Sequence, residues 1–186
     1  AFTSVAGTDG VIADTDFTGT GKGLELLAAY KGVAVVAIGE RMSTDLKDKV
    51  ELLAASAVDR LYLVGPDDET VDVADAVTDA ALQASDRIVY CYGHNYTRDP
   101  DTGTEVLCRP EAWMASILSQ TAVDIHPGAF DNRKFLAGIT RLYNDALQRQ
   151  DYIDLKAGGV AGLEKDEGFG FVSGVTSTLV SGKTEI

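Results

Sequence analysis

The residues of this chain best suited to chemistry are few and scattered. There are two histidines, His94 and His126, and two cysteines, Cys91 and Cys108. Cys91-Tyr92-Gly93-His94 together with Cys108 offers three metal donors, whereas structural zinc uses four at tighter spacing, so the set is incomplete as a metal site. The two cysteines bracket segment 93–109 and would close it as a disulfide. For a chain made in the cytosol, two small buried thiols are the preferred reading. A Ser-His-Asp triad needs a serine poised on a tight turn and a histidine oriented by a carboxylate. Gly-x-Ser-x-Gly does not occur, and Ser173, between Val172 and Gly174 in a strand-like run, is a poor nucleophile setting.

Two further clusters invite a binding role. Gly19-Thr20-Gly21-Lys22-Gly23 suggests a phosphate loop, but Asp16 stands where the first glycine belongs and Gly23 where the Mg²⁺-binding hydroxyl belongs. The dinucleotide fingerprint fails as well, because the glycines are spaced two apart throughout. A flexible loop is the better reading. Asp67-Asp68-Glu69 with Asp72, Asp75 and Asp79 forms an acidic stretch, with no Lys or Arg from Leu61 to Ser85. It lacks the alternation and central glycine of a calcium loop and reads as a solvated face, or as a contact for basic residues of a partner. No catalytic, cofactor-binding or metal-binding residue is therefore assigned.

The elements that would position these groups are those of one domain spanning residues 1–186. Such a length can bury about 70% of its unfolded surface. The 45% hydrophobic content and 8% aromatic content suit a globular chain, and no apolar run reaches membrane-spanning length. The formal net charge of −13 argues against nucleic-acid binding, which needs a basic footprint. Ala1 at the start and a strand-like run close to the end suggest a trimmed or engineered fragment, expected to be monomeric by itself.

Periodicity predicts strand, helix, strand, helix, strand. Val33–Ile38 reads as a strand buried on both faces, and a helix capped by Ser43 or Thr44 carries a stripe of Leu46, Val50, Leu53, Ala54 and Ala57. Leu61–Val64 and Arg87–Tyr92 are the next strands. Between them a helix turns Val73, Val77 and Ala81 inward and Asp72, Asp75 and Asp79 to another face. Short loops between such units imply a mainly parallel sheet flanked by helices. A short helix is expected near Gly23–Tyr30. Segment 93–109 is an exposed hairpin or loop around Asp99-Pro100-Asp101-Thr102-Gly103, and Pro110 starts a helix to about Gln120. A helix is predicted over Lys134–Gln150, with Phe135, Ile139, Leu142, Tyr143 and Ala146 on one face. An antiparallel C-terminal hairpin follows, with strands Val160–Leu163 and Phe169–Thr176 around the Glu164–Glu167 turn.

Several stretches taken in order carry a resemblance. They are Gly7-Thr8-Asp9-Gly10, the α/β units, Ala112-Trp113-Met114-Ala115-Ser116-Ile117, and Lys134-Phe135-Leu136-Ala137-Gly138-Ile139. Asp154-Leu155-Lys156-Ala157-Gly158-Gly159-Val160 and Val172-Ser173-Gly174-Val175-Thr176-Ser177 complete the series. This order resembles the contractile tail sheath proteins of bacteriophages and related injection machines. The resemblance implies a subtilisin-like α/β fold without protease machinery and a structural, non-enzymatic virion protein with no cofactor. Its partners would be other sheath subunits and the tail tube, with assembly in the host bacterial cytoplasm. Subunits of that family polymerise helically around the tube, contract during injection, and reach neighbours with terminal arms that add strands to their sheets. The alternative is an α/β enzyme or nucleotide-binding domain with an unrecognised site. An enzyme should show a concave pocket with convergent titratable groups at the carboxyl edge of the sheet. A sheath core should show exposed strand edges or flat patches.

Overall fold

The computed structural model describes residues 13–30, 32–38, 43–56, 59–83, 85–119, 136, 138–166 and 170–174. Two short helices, α1 (Asp14–Thr18) and α2 (Leu24–Ala28), precede β1 (Ala34–Ala37). Then come α3 (Thr44–Ser56), β2 (Arg60–Val64), α4 (Val73–Leu82) and β3 (Ile88–Tyr92). The chain next forms β4 (Asn95–Arg98), β5 (Glu105–Cys108), α5 (Pro110–Ser119), β6 (Ile139–Leu142), α6 (Arg149–Ala157), β7 (Val160–Asp166) and β8 (Gly170–Gly174). The main sheet has the order β1-β2-β3-β7-β8; its first four strands are parallel and β8 returns antiparallel to β7. A second, antiparallel sheet has the order β5-β4-β6. This is the α/β architecture and C-terminal hairpin that the sequence predicts.

Apolar residues cover both faces of the main sheet. On one face, Leu46, Val50, Leu53 and Ala54 of α3, Ala76 and Ala80 of α4, and Leu155 of α6 pack against Tyr62, Val64, Ile88, Tyr90 and Val160. On the other, Trp113, Met114 and Ile117 of α5 pack against Leu63, Val89, Cys91, Ala161 and Leu163. The α3 stripe forms as its i, i+4, i+7, i+8 spacing dictates, and Leu46 N–H donates to Ser43 Oγ at 3.4 Å at its start. Ala57, the predicted end of that stripe, lies outside the described residues.

Three sequence expectations are corrected. Residues 134–150 do not form one helix: Ile139–Leu142 is a strand paired with Tyr96 and its neighbours, and helix begins only at Arg149. Ile139-Thr140-Arg141-Leu142 contains two β-branched residues, and an available edge on β4 outweighs a helical apolar stripe there. Segment 93–109 forms the predicted hairpin, β4–β5, and β6 adds a third strand on the other side of β4. β1 is an edge strand, alternately half-buried and exposed, and so is covered far less than a strand buried on both faces. In α4 the buried line is Ala76 and Ala80, Val73 and Val77 flank it half-buried, and Ala81 is exposed. Small alanines let the helix sit close to the sheet.

The hairpin β7–β8 is present with a shifted turn. Glu164–Asp166 belong to β7, in register with Val172, Phe171 and Gly170. The predicted strand residues Val175 and Thr176 lie outside the described residues.

Candidate functional site

Titratable groups do converge at the carboxyl edge of the parallel strands, and they do so as closed partnerships. Glu111, in the first turn of α5, is 1% exposed. Arg109 Nε and Nη2 lie 3.4 and 3.3 Å from its two carboxylate oxygens. The same guanidinium donates to the carbonyl of Pro66 at 2.7 Å and points a further N–H at that of Asp67, at 3.5 Å. The pair thereby clamps the chain just after β2 to the start of α5. The carboxylate fits because residue 65 is glycine; a Cβ there would come within 2.7 Å of Glu111 Oε1. Burial raises the Glu111 carboxyl above its ordinary value, with Arg109 opposing.

A second knot lies on the opposite face. Lys47, 6% exposed in α3, pairs with Asp79 of α4 and lies 3.1 Å from Asp67. The Tyr90 hydroxyl donates to Asp79 at 3.0 Å, and burial beside these carboxylates pushes the phenol far up. The acidic stretch is therefore not simply a solvated face. Asp67 and Asp79 neutralise Lys47, Asp72 caps α4 by accepting from the Asp75 N–H at 2.9 Å, and Asp75 is exposed. Lys47 stands in the sequence as a cation on the apolar line 47, 50, 54, whereas Glu111 carries no local mark of burial. Neither position says which partner it meets.

His94 follows Gly93 at the end of β3 and is 7% exposed. Burial, then Arg109, lowers its imidazole to about 4, against a weaker pull from Glu69 and Asp68. The cavity beside it, lined by Glu69, Tyr92 and Tyr143 among others, holds only about 10 Å³, at the lower limit for a single water. A depressed folded pKa makes the neutral form a source of stability above pH ~6.5 that is lost as pH falls through about 4. We expect about 1–2 kcal/mol to disappear between pH 7 and pH 5. Urea unfolding at the two pH values should show a smaller stability difference in His94→Gln, and an equal difference in both proteins would contradict the assignment.

The remaining sequence candidates do not come together. Cys91 is buried in the α5-side core, Cys108 is half-buried on β5, and both are free thiols; burial raises each. Among the described residues no three His, Cys, Asp or Glu side chains are placed to hold a metal ion. Gly19–Gly23 joins α1 to α2, and the Gly21 N–H donates to the Glu25 carboxylate. A carboxylate of the chain itself therefore occupies that donor, which a phosphate would otherwise need. The backbone of Ser173 lies in β8, and His126 is outside the described residues.

The class defined is thus an α/β protein whose parallel strands follow one another in chain order, with ion-paired groups packed at their carboxyl edge. No protein-family model matches this chain, and comparison with curated proteins gives no significant match. Among the described residues no helix is long and apolar enough to cross a membrane.

Proposed function

We propose that this chain is a structural subunit of a contractile tail sheath, polymerising around a tail tube with copies of itself and acting without a cofactor. It would be assembled in the host bacterial cytoplasm and carried in the virion tail. The observation that supports this best is the outer side of β1. The Ala34 N–H donates to the Asp59 carbonyl, and alternation along a parallel strand then turns the N–H and C=O of Val35 and Ala37 away from β2. Among the described residues no strand pairs with that side, and Val33 and Val35 beside it are 83% and 47% exposed. A bare edge flanked by valines is a template for an added strand from another subunit.

The strand order adds support. Ligands of open α/β sheets sit where strand order reverses, and β1-β2-β3-β7 has no reversal. Segment 134–150 contributes nothing to the reading, because part of it forms β6 instead of the helix used in the resemblance.

The test is electron microscopy of the complete gene product that contains residues 1–186, beside its Val35→Pro variant. Proline at an outward-facing edge position removes no hydrogen bond to β2, so stability should stay within about 1 kcal/mol of the parent. Striated tubes or stacked rings in the parent, lost in Val35→Pro, are the expected result. Monomers alone from the parent at high concentration would overturn the reading.

A further inference from the structure

An open groove of about 770 Å³ runs between α4 and α6, within the usual range of about 300–1,000 Å³ for ligand-sized clefts. Its apolar lining includes Val73, Val77 and Leu147, all half-buried, with exposed Ala74 and Ala157, and its charged groups are Asp72, Asp151 and Asp154. Among the described residues no Lys, Arg or His lines it. Gly158 at the end of α6 packs directly against Val77 of α4, where a Cβ would come within 2.6 Å of the valine side chain. The three carboxylates are held in place by local bonds. Asp72 accepts from the Asp75 N–H, Asp151 from the Gln148 N–H, and Asp154 from Gln150 Nε2.

We propose that this groove docks an amphipathic, Lys/Arg-bearing helix of a different, net-cationic protein, with aliphatic side chains on the valines and cations against the three aspartates. Charge decides against a second copy as the occupant. The chain carries 29 acidic and 16 basic residues, so a second copy has few cations to set against an acidic groove. Seven of its described cations (Lys22, Lys47, Lys49, Arg60, Arg87, Arg109 and Arg141) already face carboxylates of their own chain. An apolar floor with a rim of one charge sign selects a helix with an apolar stripe flanked by the opposite sign. The inference does not depend on the assembly reading, because β1 and this groove are different parts of the chain.

The probe is a synthetic helix of about 14 residues with Leu on one stripe and Lys on its flanks, and a charge-reversed peptide with Glu replacing Lys. Binding is followed by amide chemical shifts and titration calorimetry. We expect shifts confined to α4, 144–148 and α6, and about tenfold weaker binding to the Asp151→Asn/Asp154→Asn double variant. Ala74→Arg, at an exposed groove position, should abolish binding without loss of fold, and the Glu peptide should not bind. Shifts spread over other acidic surfaces, or affinity unchanged in both variants, would overturn the proposal.

Discussion

Replacing Glu111 by alanine is expected to remove about 3 kcal/mol of folding stability, because it breaks a buried ion pair from one side only. Arg109 would keep its contacts with the Pro66 and Asp67 carbonyls and lose both carboxylate contacts, and a cavity would open beside Gly65. For a chain of this length the loss corresponds to a fall of about 6–12 °C in Tm, readable by calorimetry. Glu111→Gln keeps the shape and one acceptor for Arg109, so it should cost much less. The pH dependence separates charge from packing. A carboxyl whose folded pKa is raised favours the folded state below its unfolded pKa, and that contribution is lost as pH rises through the folded value. Glu111→Gln should therefore be relatively more favourable at pH 7 than at pH 4. A loss below about 1 kcal/mol in Glu111→Ala would mean that the Arg109–Glu111 pair is not what holds α5 to the end of β2.

Gly93→Ala should be at least as damaging, for a reason of backbone and space together. Gly93 has φ +113°, in a region that residues with a side chain rarely adopt, and a Cβ there would lie 2.8 Å from Leu163 Cβ on β7. The strain of the conformation and the overpacking against a buried strand each cost about 1–3 kcal/mol, so about 3 kcal/mol in total is a fair expectation. The position matters because the chain leaves the main sheet there to begin β4, and Trp113 Nε1 donates to the Gly93 carbonyl at 3.3 Å. Loss of stability should come with a changed environment for Trp113, the single tryptophan, seen in its fluorescence. An unchanged urea midpoint would mean that β3, β7 and α5 do not meet at Gly93 as described.

The two predictions differ in how much of their basis the sequence displays. Gly93 follows a run of five buried residues and precedes a new strand, so a break there is legible from pattern alone. That Leu163, seventy positions away, closes the space over it is not. Glu111 sits after Pro110 in a first turn, where an acid suits the helix dipole, and nothing local marks it as buried. The same limit explains segment 134–150. Its apolar residues fit a helical stripe, yet Ile139–Leu142 pairs with β4, whose free edge no local window reveals. Val33–Ile38 misleads in the opposite way: β-branched density promised full burial, and edge position denied it.

Periodicity and turn chemistry in this sequence determined the alternation of strands and helices through Tyr92, the hairpin around Asp99–Gly103, the start of α5 at Pro110 and the return hairpin β7–β8. They act through side-chain spacing and local backbone preference, which operate within a few residues. Tertiary structure alone decided four things. It set the parallel strand order β1-β2-β3-β7, paired Lys47 with Asp79 and Asp67, drew β6 into the second sheet, and left one side of β1 unpaired among the described residues. Each of these depends on which surfaces are buried against each other across 20 or more positions of chain, where packing and desolvation outweigh any local preference.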